Sequence, residues 1–174
     1  MTLARRALLG AAGVAALGAG AWWSNRRLQP ASPQDTALAN FWTSEFKTPH
    51  GAGMPMAPLQ GRPLLINFWA TWCPPCVKEM PELDRFATSF APKGGQVLGI
   101  AIDQSDAVNE FLARTPVKFP IVLGGLGGLD LVKALGNAAG GLPFSVLIDA
   151  KGRVAQVKMG STTEVELEQW AKAL

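Results

Sequence analysis

The sequence predicts one α/β domain on a central mixed β-sheet with parallel strands at its centre, and three observations carry that expectation. Leu64-Leu65-Ile66-Asn67-Phe68-Trp69 and the run from Val97 to Ile102 are almost continuously apolar, the pattern of strands buried on both faces of a sheet. Between them Met80, Leu83, Ala87 and Phe90 continue from Cys76 at offsets of four, three, four and three, the stripe of a helix packed on that sheet. The last third of the chain carries two short strand patterns and one more helical stripe, so the order reads β-α-β, an inserted α-β-α region, then β-β-α.

At the N-terminus, Arg5 and Arg6 precede an uncharged run from Ala7 to Trp23 that is rich in Ala, Gly and Leu. It spans about 25 Å if helical at ~1.5 Å per residue. Such a run suits either a signal anchor or a cleaved export signal with Ala19-Gly20-Ala21 as a small-residue cleavage site. Trp22 and Trp23 followed by Arg26 and Arg27 read as an interfacial belt and favour the anchor. Residues 1–23 are therefore expected to be the export or anchor helix, residues 24–37, with Pro30 and Pro33, a linker, and residues 38–174 the folded domain.

Within that domain a helix is expected after Ser105, with Val108, Phe111 and Leu112 on one face. A short helix follows from Asp130 to Leu135, closed by Gly136. Phe144 to Ile148 reads as a strand, Asp149-Ala150-Lys151-Gly152 as a tight turn, and Val154 to Lys158 as the returning strand. Thr163 with Glu166 three residues later forms a capping box, and Leu167, Trp170, Ala171 and Leu174 give the last helix its buried face. The cluster Gly124-Gly125-Leu126-Gly127-Gly128 has neither the Lys-Ser/Thr of a phosphate loop nor the spacing of a dinucleotide fingerprint, and reads as a flexible loop.

Composition narrows the function. The chain has 174 residues, 48% hydrophobic and 17% charged, enough for one core and too apolar for a disordered chain. Its net charge is +3, from 16 Lys and Arg against 13 Asp and Glu. Four of those basic residues (Arg5, Arg6, Arg26, Arg27) precede the first acid, Asp35, so the remainder carries 12 against 13, or −1. No basic face is left that would argue for nucleic acid. The two cysteines, Cys73 and Cys76, lie three apart, too few for a disulfide scaffold or a four-cysteine zinc site, so whatever they do they do together.

Trp72-Cys73-Pro74-Pro75-Cys76 follows the first buried strand and opens the helix. There, unpaired backbone N–H groups and the positive end of the helix dipole favour a thiolate. Cys73 is then the nucleophile that attacks a substrate disulfide, and Cys76 the resolving thiol. A passive bridge would close only a tiny loop. Proline has no N–H, so Pro74 and Pro75 remove two donors and leave the N–H groups of Cys76 and Val77 to solvate the sulfur. A less stabilised thiolate places the site toward the reducing end of the range.

Phe68-Trp69-Ala70-Thr71-Trp72-Cys73-Pro74-Pro75-Cys76, followed by Lys78-Glu79-Met80-Pro81-Glu82-Leu83, resembles the active-site segment of the TlpA/ResA-like exported branch of the thioredoxin superfamily. The likeness extends to Gly141-Leu142-Pro143-Phe144-Ser145 and to the Asp149–Gly152 hairpin, so it covers roughly residues 40 to 174. It implies a thioredoxin-like fold with an extra helix-strand insertion. It also implies that Pro143 is cis and faces the cysteines, and that the backbone of Leu142 pairs with an extended substrate peptide. The residues alone favour a trans Pro143.

Plain thioredoxin has a buried aspartate six residues before the first cysteine, and this chain has Asn67 there. An amide is no base, which leaves Glu79, three residues past Cys76, as the nearest acid or base for the resolving thiol, a role the resemblance supports. Glu79 shares a helical row with Leu83, Phe86 and Phe90, which favours burial; the other reading leaves it solvated beside Lys78. Pro81 is expected to kink the helix. Trp69, Trp72 and Phe144 form either an apolar rim around Cys73 or ordinary core.

The expected function is that of a periplasmic thiol-disulfide oxidoreductase, monomeric, with no cofactor beyond its own redox-active Cys73–Cys76 pair. It would reduce exported proteins, apocytochrome c or copper-site proteins by the resemblance, and draw electrons from a membrane thiol-electron transporter. The alternative is a Cu(I) metallochaperone that uses both thiolates with His50, Met54 and Met56 as further ligands. A peroxidase ranks lowest, because its cysteine is placed differently and no third cysteine exists.

Overall fold

A computed structural model describes residues 32–125 and 127–174. The segment expected to be an export or anchor helix (1–23) and most of the linker lie outside the described residues. Among the described residues no helix is long and apolar enough to cross a membrane.

The chain enters through α1 (Pro33–Thr43), which begins inside the segment expected to be linker. Residues 33–37 are helical because Pro33 stands at the first helical position, where its missing N–H is no loss, and because Ala37, Leu38, Phe41 and Trp42 are buried together. A hairpin of two three-residue strands, β1 (Glu45–Lys47) and β2 (Gly53–Pro55), follows. Next come β3 (Leu64–Trp69), α2 (Pro74–Phe90), β4 (Gln96–Ala101), α3 (Ser105–Arg114), β5 (Ile121–Leu123) and α4 (Gly128–Ala134). The chain ends with β6 (Phe144–Ile148), β7 (Val154–Met159) and α5 (Glu164–Lys172). The seven strands form one sheet in the order β2-β1-β5-β4-β3-β6-β7. Strands β3, β4 and β5 are parallel, while β6 and β7 return antiparallel on one side and β1 and β2 on the other. This is the thioredoxin-like arrangement, with α3, β5 and α4 between the β3-α2-β4 unit and the final β6-β7-α5 unit, one helix and one strand more than plain thioredoxin has there.

Every residue of β3 is buried, and its side chains alternate between two cores. Leu64, Ile66 and Phe68 join the core under α1 and α4, whereas Leu65 and Trp69 join the one that holds Cys73, Cys76, Met80, Leu83 and Phe86. Each such apolar side chain contributes about 1.5–3 kcal/mol when fully buried. Gly99, opposite Asn67 on β4, allows this closeness: a Cβ there would lie 2.4 Å from Ile121 Cδ1 and 3.2 Å from Trp69 Nε1.

The last helix is capped at Thr163, whose Oγ1 accepts from the Glu166 N–H at 3.3 Å. The carboxylate of Glu166 turns instead to Lys158. Leu167 is buried and Trp170 and Ala171 pack on the cysteine core, but Leu174, expected on that face, lies past the end of α5 and is 47% exposed. The hairpin between β6 and β7 is tied by Asp149, whose Oδ1 accepts from the N–H groups of Lys151 and Arg153.

Candidate active site

The site is assembled where β3 hands the chain to α2. After Trp69 the backbone turns through Ala70-Thr71-Trp72, and the Cys73 N–H donates to the Ala70 carbonyl at 3.3 Å. Asp103, in the loop after β4, holds this turn: its Oδ2 accepts from the Thr71 N–H at 2.8 Å and from Thr71 Oγ1 at 2.6 Å. Trp72 is left 65% exposed beside the cysteines. It borders a cleft of about 500 Å³ that Ile102, Gln104 and Leu123 also line.

Cys73 is the N-cap of α2, in extended conformation, with Pro74 and Pro75 at the first two helical positions. Its Sγ accepts from the Cys76 N–H at 3.3 Å. The Val77 N–H, expected from the sequence to be a second donor to the sulfur, donates to the Cys73 carbonyl at 3.1 Å instead. It is the first hydrogen bond of the helical ladder, and that engagement removes it from the sulfur. Cys73 and Cys76 are joined as a disulfide with their Cα atoms 5.3 Å apart; Cys73 is 5% exposed and Cys76 fully buried.

One turn beyond Cys76, Glu79 is only 2% exposed, so the reading that leaves it solvated beside Lys78 does not hold. Its Oε1 accepts from Asn67 Nδ2 at 2.8 Å, and its Oε2 from the Thr162 N–H at 2.7 Å and Thr162 Oγ1 at 3.2 Å. Burial pushes the carboxyl above its ordinary value of 4.5, and the Thr162 N–H, the Asn67 amide, the Thr162 hydroxyl and the charge of Lys158 pull it back without cancelling the rise. Asn67 also donates to Ser145 Oγ at 3.0 Å.

The Leu142–Pro143 peptide bond is cis, and the Pro143 carbonyl accepts from the Gly160 N–H at 2.8 Å. Leu142, half-buried, packs against the cluster that contains both cysteines. Between Gly160 and Thr162, Ser161 Oγ donates to the Pro75 carbonyl at 3.4 Å.

The residues expected from sequence at a reactive centre, Cys73, Cys76 and Glu79, thus stand together at the start of α2, with Trp72 beside them and Leu142 packed on the same core. Of the three aromatic residues read as either rim or ordinary core, Trp69 shares the cysteine core and Trp72 is exposed, but Phe144 lies on the opposite face of the sheet, stacked on Phe68. Strand alternation sends it there, since Ser145 takes the face toward Asn67. The residues proposed as copper ligands are not gathered. Met56 is buried in the other core, and His50 and Met54 belong to the β1–β2 hairpin, with β5 and β4 between it and β3. The parts that sequence reading missed are Thr71, Asp103, Ser145 and the segment Gly160–Thr162. A glycine followed by Ser-Thr-Thr before a helix signals a turn and a cap, but nothing local signals a partner more than 80 positions away.

Comparison with known proteins agrees with this geometry. The Redoxin family matches residues 35–174. A thiol-disulfide oxidoreductase ResA from Bacillus thuringiensis is 33% identical over 125 residues, covering 71% of this chain and 70% of its own. A thioredoxin-related protein from Neisseria meningitidis superposes with a TM-score of 0.67 at 32% identity, over 74% of this chain and 97% of that one. A secreted disulfide oxidoreductase of Mycobacterium tuberculosis, described as homologous to E. coli DsbE, gives 0.64 at 26% identity, over 80% and 99%.

Proposed function

The chain belongs to the redoxin family as a ResA-like thiol-disulfide oxidoreductase of the thioredoxin superfamily, and from that premise we propose that it reduces specific protein disulfides outside the cytoplasm through a Cys73–Cys76 dithiol/disulfide cycle. The observation that carries this reading is the disulfide at the first turn of α2 with a buried carboxyl one turn further on.

In the reduced protein the Cys73 thiolate attacks a substrate disulfide. A Cys73–substrate S–S bond forms, and the substrate's other sulfur leaves as thiolate. Cys76 then gives its proton to Glu79 and attacks Cys73 Sγ. The Cys73–Cys76 bond forms, the bond to the substrate breaks, and the substrate departs with both electrons. Glu79 suits that exchange because burial raises its affinity for a proton while three hydrogen bonds still hold the ionised form. Trp72 and the Leu142–Pro143 loop flank Cys73 as the docking surface for the peptide, which pairs with the Leu142 backbone.

A reductant in an oxidising compartment needs its own electron supply, so a membrane thiol-electron transporter re-reduces the pair, and residues 1–23 export or anchor the domain. The secreted character of the M. tuberculosis relative supports that location. Apocytochrome c or copper-site proteins are the substrates this reading expects. Two measurements test it. A Cys76→Ser variant should accumulate substrates linked to Cys73, identifiable by mass spectrometry. The reduction potential should fall near that of thioredoxin, about −270 mV, and a value as high as about −120 mV, typical of a strong oxidase, would overturn the direction of electron flow.

A further inference from the structure

Asn67 is fully buried on β3, between Glu79 of α2 and Ser145 of β6. Its Nδ2 donates to both, at 2.8 Å and 3.0 Å, while its Oδ1 has no hydrogen-bond partner among the described residues. A buried polar atom left unpaired is disfavoured, so the arrangement needs a reason.

The partners supply it. A serine hydroxyl both donates and accepts, and a carboxyl accepts when ionised and donates when protonated. Glu79 Oε2 faces the Thr162 N–H, which cannot accept, and the Thr162 hydroxyl lies farther off at 3.2 Å than the Asn67 amide does at 2.8 Å, so an arriving proton is placed on Oε1, toward Asn67. There it meets the NH2 of the amide, one donor against another. A half-turn of the amide exchanges Oδ1 for Nδ2. Oδ1 then accepts from the Glu79 acid and from the Ser145 hydroxyl, and Nδ2 takes the unpaired place. Both orientations make two hydrogen bonds, leave one end unpaired and fill the same volume, so the proton on Glu79 decides between them: the carboxylate takes the donating orientation and the acid the accepting one.

We propose that Asn67 is a positioning residue whose amide turns over each time Glu79 gains or loses a proton, donating through Nδ2 to the carboxylate and accepting through Oδ1 from the acid. The inference rests on, and deepens, the reading of Glu79 as the proton acceptor for Cys76. When Cys76 yields its proton and attacks Cys73, the acid formed on Glu79 is held in place by the turned amide instead of swinging away from it. The other charged group acting on Glu79 is Lys158 of β7, itself ion-paired to Glu166 of α5; Cys76 lies one turn earlier on the same helix.

The test uses the oxidised wild-type protein, in which the cysteines are joined and do not titrate. Side-chain 15N–1H resonances of Asn67 and the carboxyl 13C of Glu79 are followed against pH. Both amide protons should leave their hydrogen-bonded positions with the midpoint of the Glu79 carboxyl, and in Glu79→Gln they should not respond to pH. Amide resonances that stay fixed while Glu79 titrates would overturn the proposal. Asn67→Leu, similar in size and unable to donate or accept, loses the bond to the acid along with the bond to the carboxylate, and should move the Glu79 midpoint to higher pH only by the difference between the two. Failure of the proton-acceptor reading shows separately, as an unchanged resolving rate in Glu79→Gln, because the titration of the oxidised protein involves no turnover.

Discussion

Replacing Pro75 by alanine restores one backbone N–H beside the attacking sulfur, and its effect follows from the cap geometry. An N-cap side chain accepts from the N–H of the second or third helical residue. Here the third, that of Cys76, donates at 3.3 Å, the second is Pro75 and has none, and Val77 is committed to the Cys73 carbonyl. A hydrogen bond to a charged group is worth about 1.5–3 kcal/mol net, and the low end suits a cap whose existing bond is as long as 3.3 Å. At about 1.4 kcal/mol per pH unit, the midpoint of Cys73 alkylation should fall by about one unit in Pro75→Ala. Stabilising the reduced state by that amount raises the reduction potential by at most about 30 mV, and by less where the thiol form dominates. Pro74→Ala is the internal control, since a first-position N–H is not one that an N-cap side chain uses. The assay is the rate of iodoacetamide labelling of reduced Cys73 against pH, read by mass spectrometry. A midpoint that stays put in Pro75→Ala, or falls equally in Pro74→Ala, would refute the idea that missing N–H groups keep this thiolate poorly solvated.

Glu79→Gln should alter how stability depends on pH. Because burial raises the carboxyl above 4.5, the wild type holds the associated stability below about pH 4.5 and loses it as pH rises through the folded-state value; the Gln variant should lack that loss in urea unfolding at stepped pH. Asp103→Ala removes the acceptor for both Thr71 groups, should cost about 2 kcal/mol, and should slow mixed-disulfide formation by loosening the turn that carries Trp72 and Cys73, measurable by stopped-flow with a disulfide peptide. Gly99→Ala drives a methyl into Ile121 and against Trp69 and should cost about 1–3 kcal/mol in thermal or urea unfolding, with the alkylation midpoint of Cys73 unmoved.

What the sequence revealed and what it hid divide along physical lines. Strand β3 and helix α2 were legible because burial on two faces and burial on one stripe leave different periods, and Cys73 and Cys76 because a paired-thiol helix start has few other uses. The β1–β2 hairpin was not, since three-residue strands at a sheet edge carry almost no periodicity, and α1 was masked by the prolines that precede and begin it. The burial of Glu79 was half legible: its helical row pointed inward, but whether a carboxylate can stay there depends on donors from Asn67 and Thr162, which lie 12 and 83 positions away. The sequence leaves Phe144 between rim and ordinary core, and strand alternation decides for core by sending the ring to the other face of the sheet.

Three consecutive residues after β7 each hold a different part of the site. Gly160 donates to the Pro143 carbonyl, Ser161 to the Pro75 carbonyl, and Thr162 to Glu79 through both its N–H and its hydroxyl. The loop that would receive a peptide, the motif that carries the sulfurs and the carboxyl that would take the proton are therefore referenced to one short stretch of backbone. Gly160 has φ +88, a conformation open to glycine at little cost, which lets the chain leave β7 and turn its next two residues back onto α2. Among the groups that oppose burial at Glu79, the Thr162 N–H is the strongest. Removing the Thr162 N–H bond would raise the proton affinity of Glu79, the direction that the proposed proton transfer from Cys76 calls for.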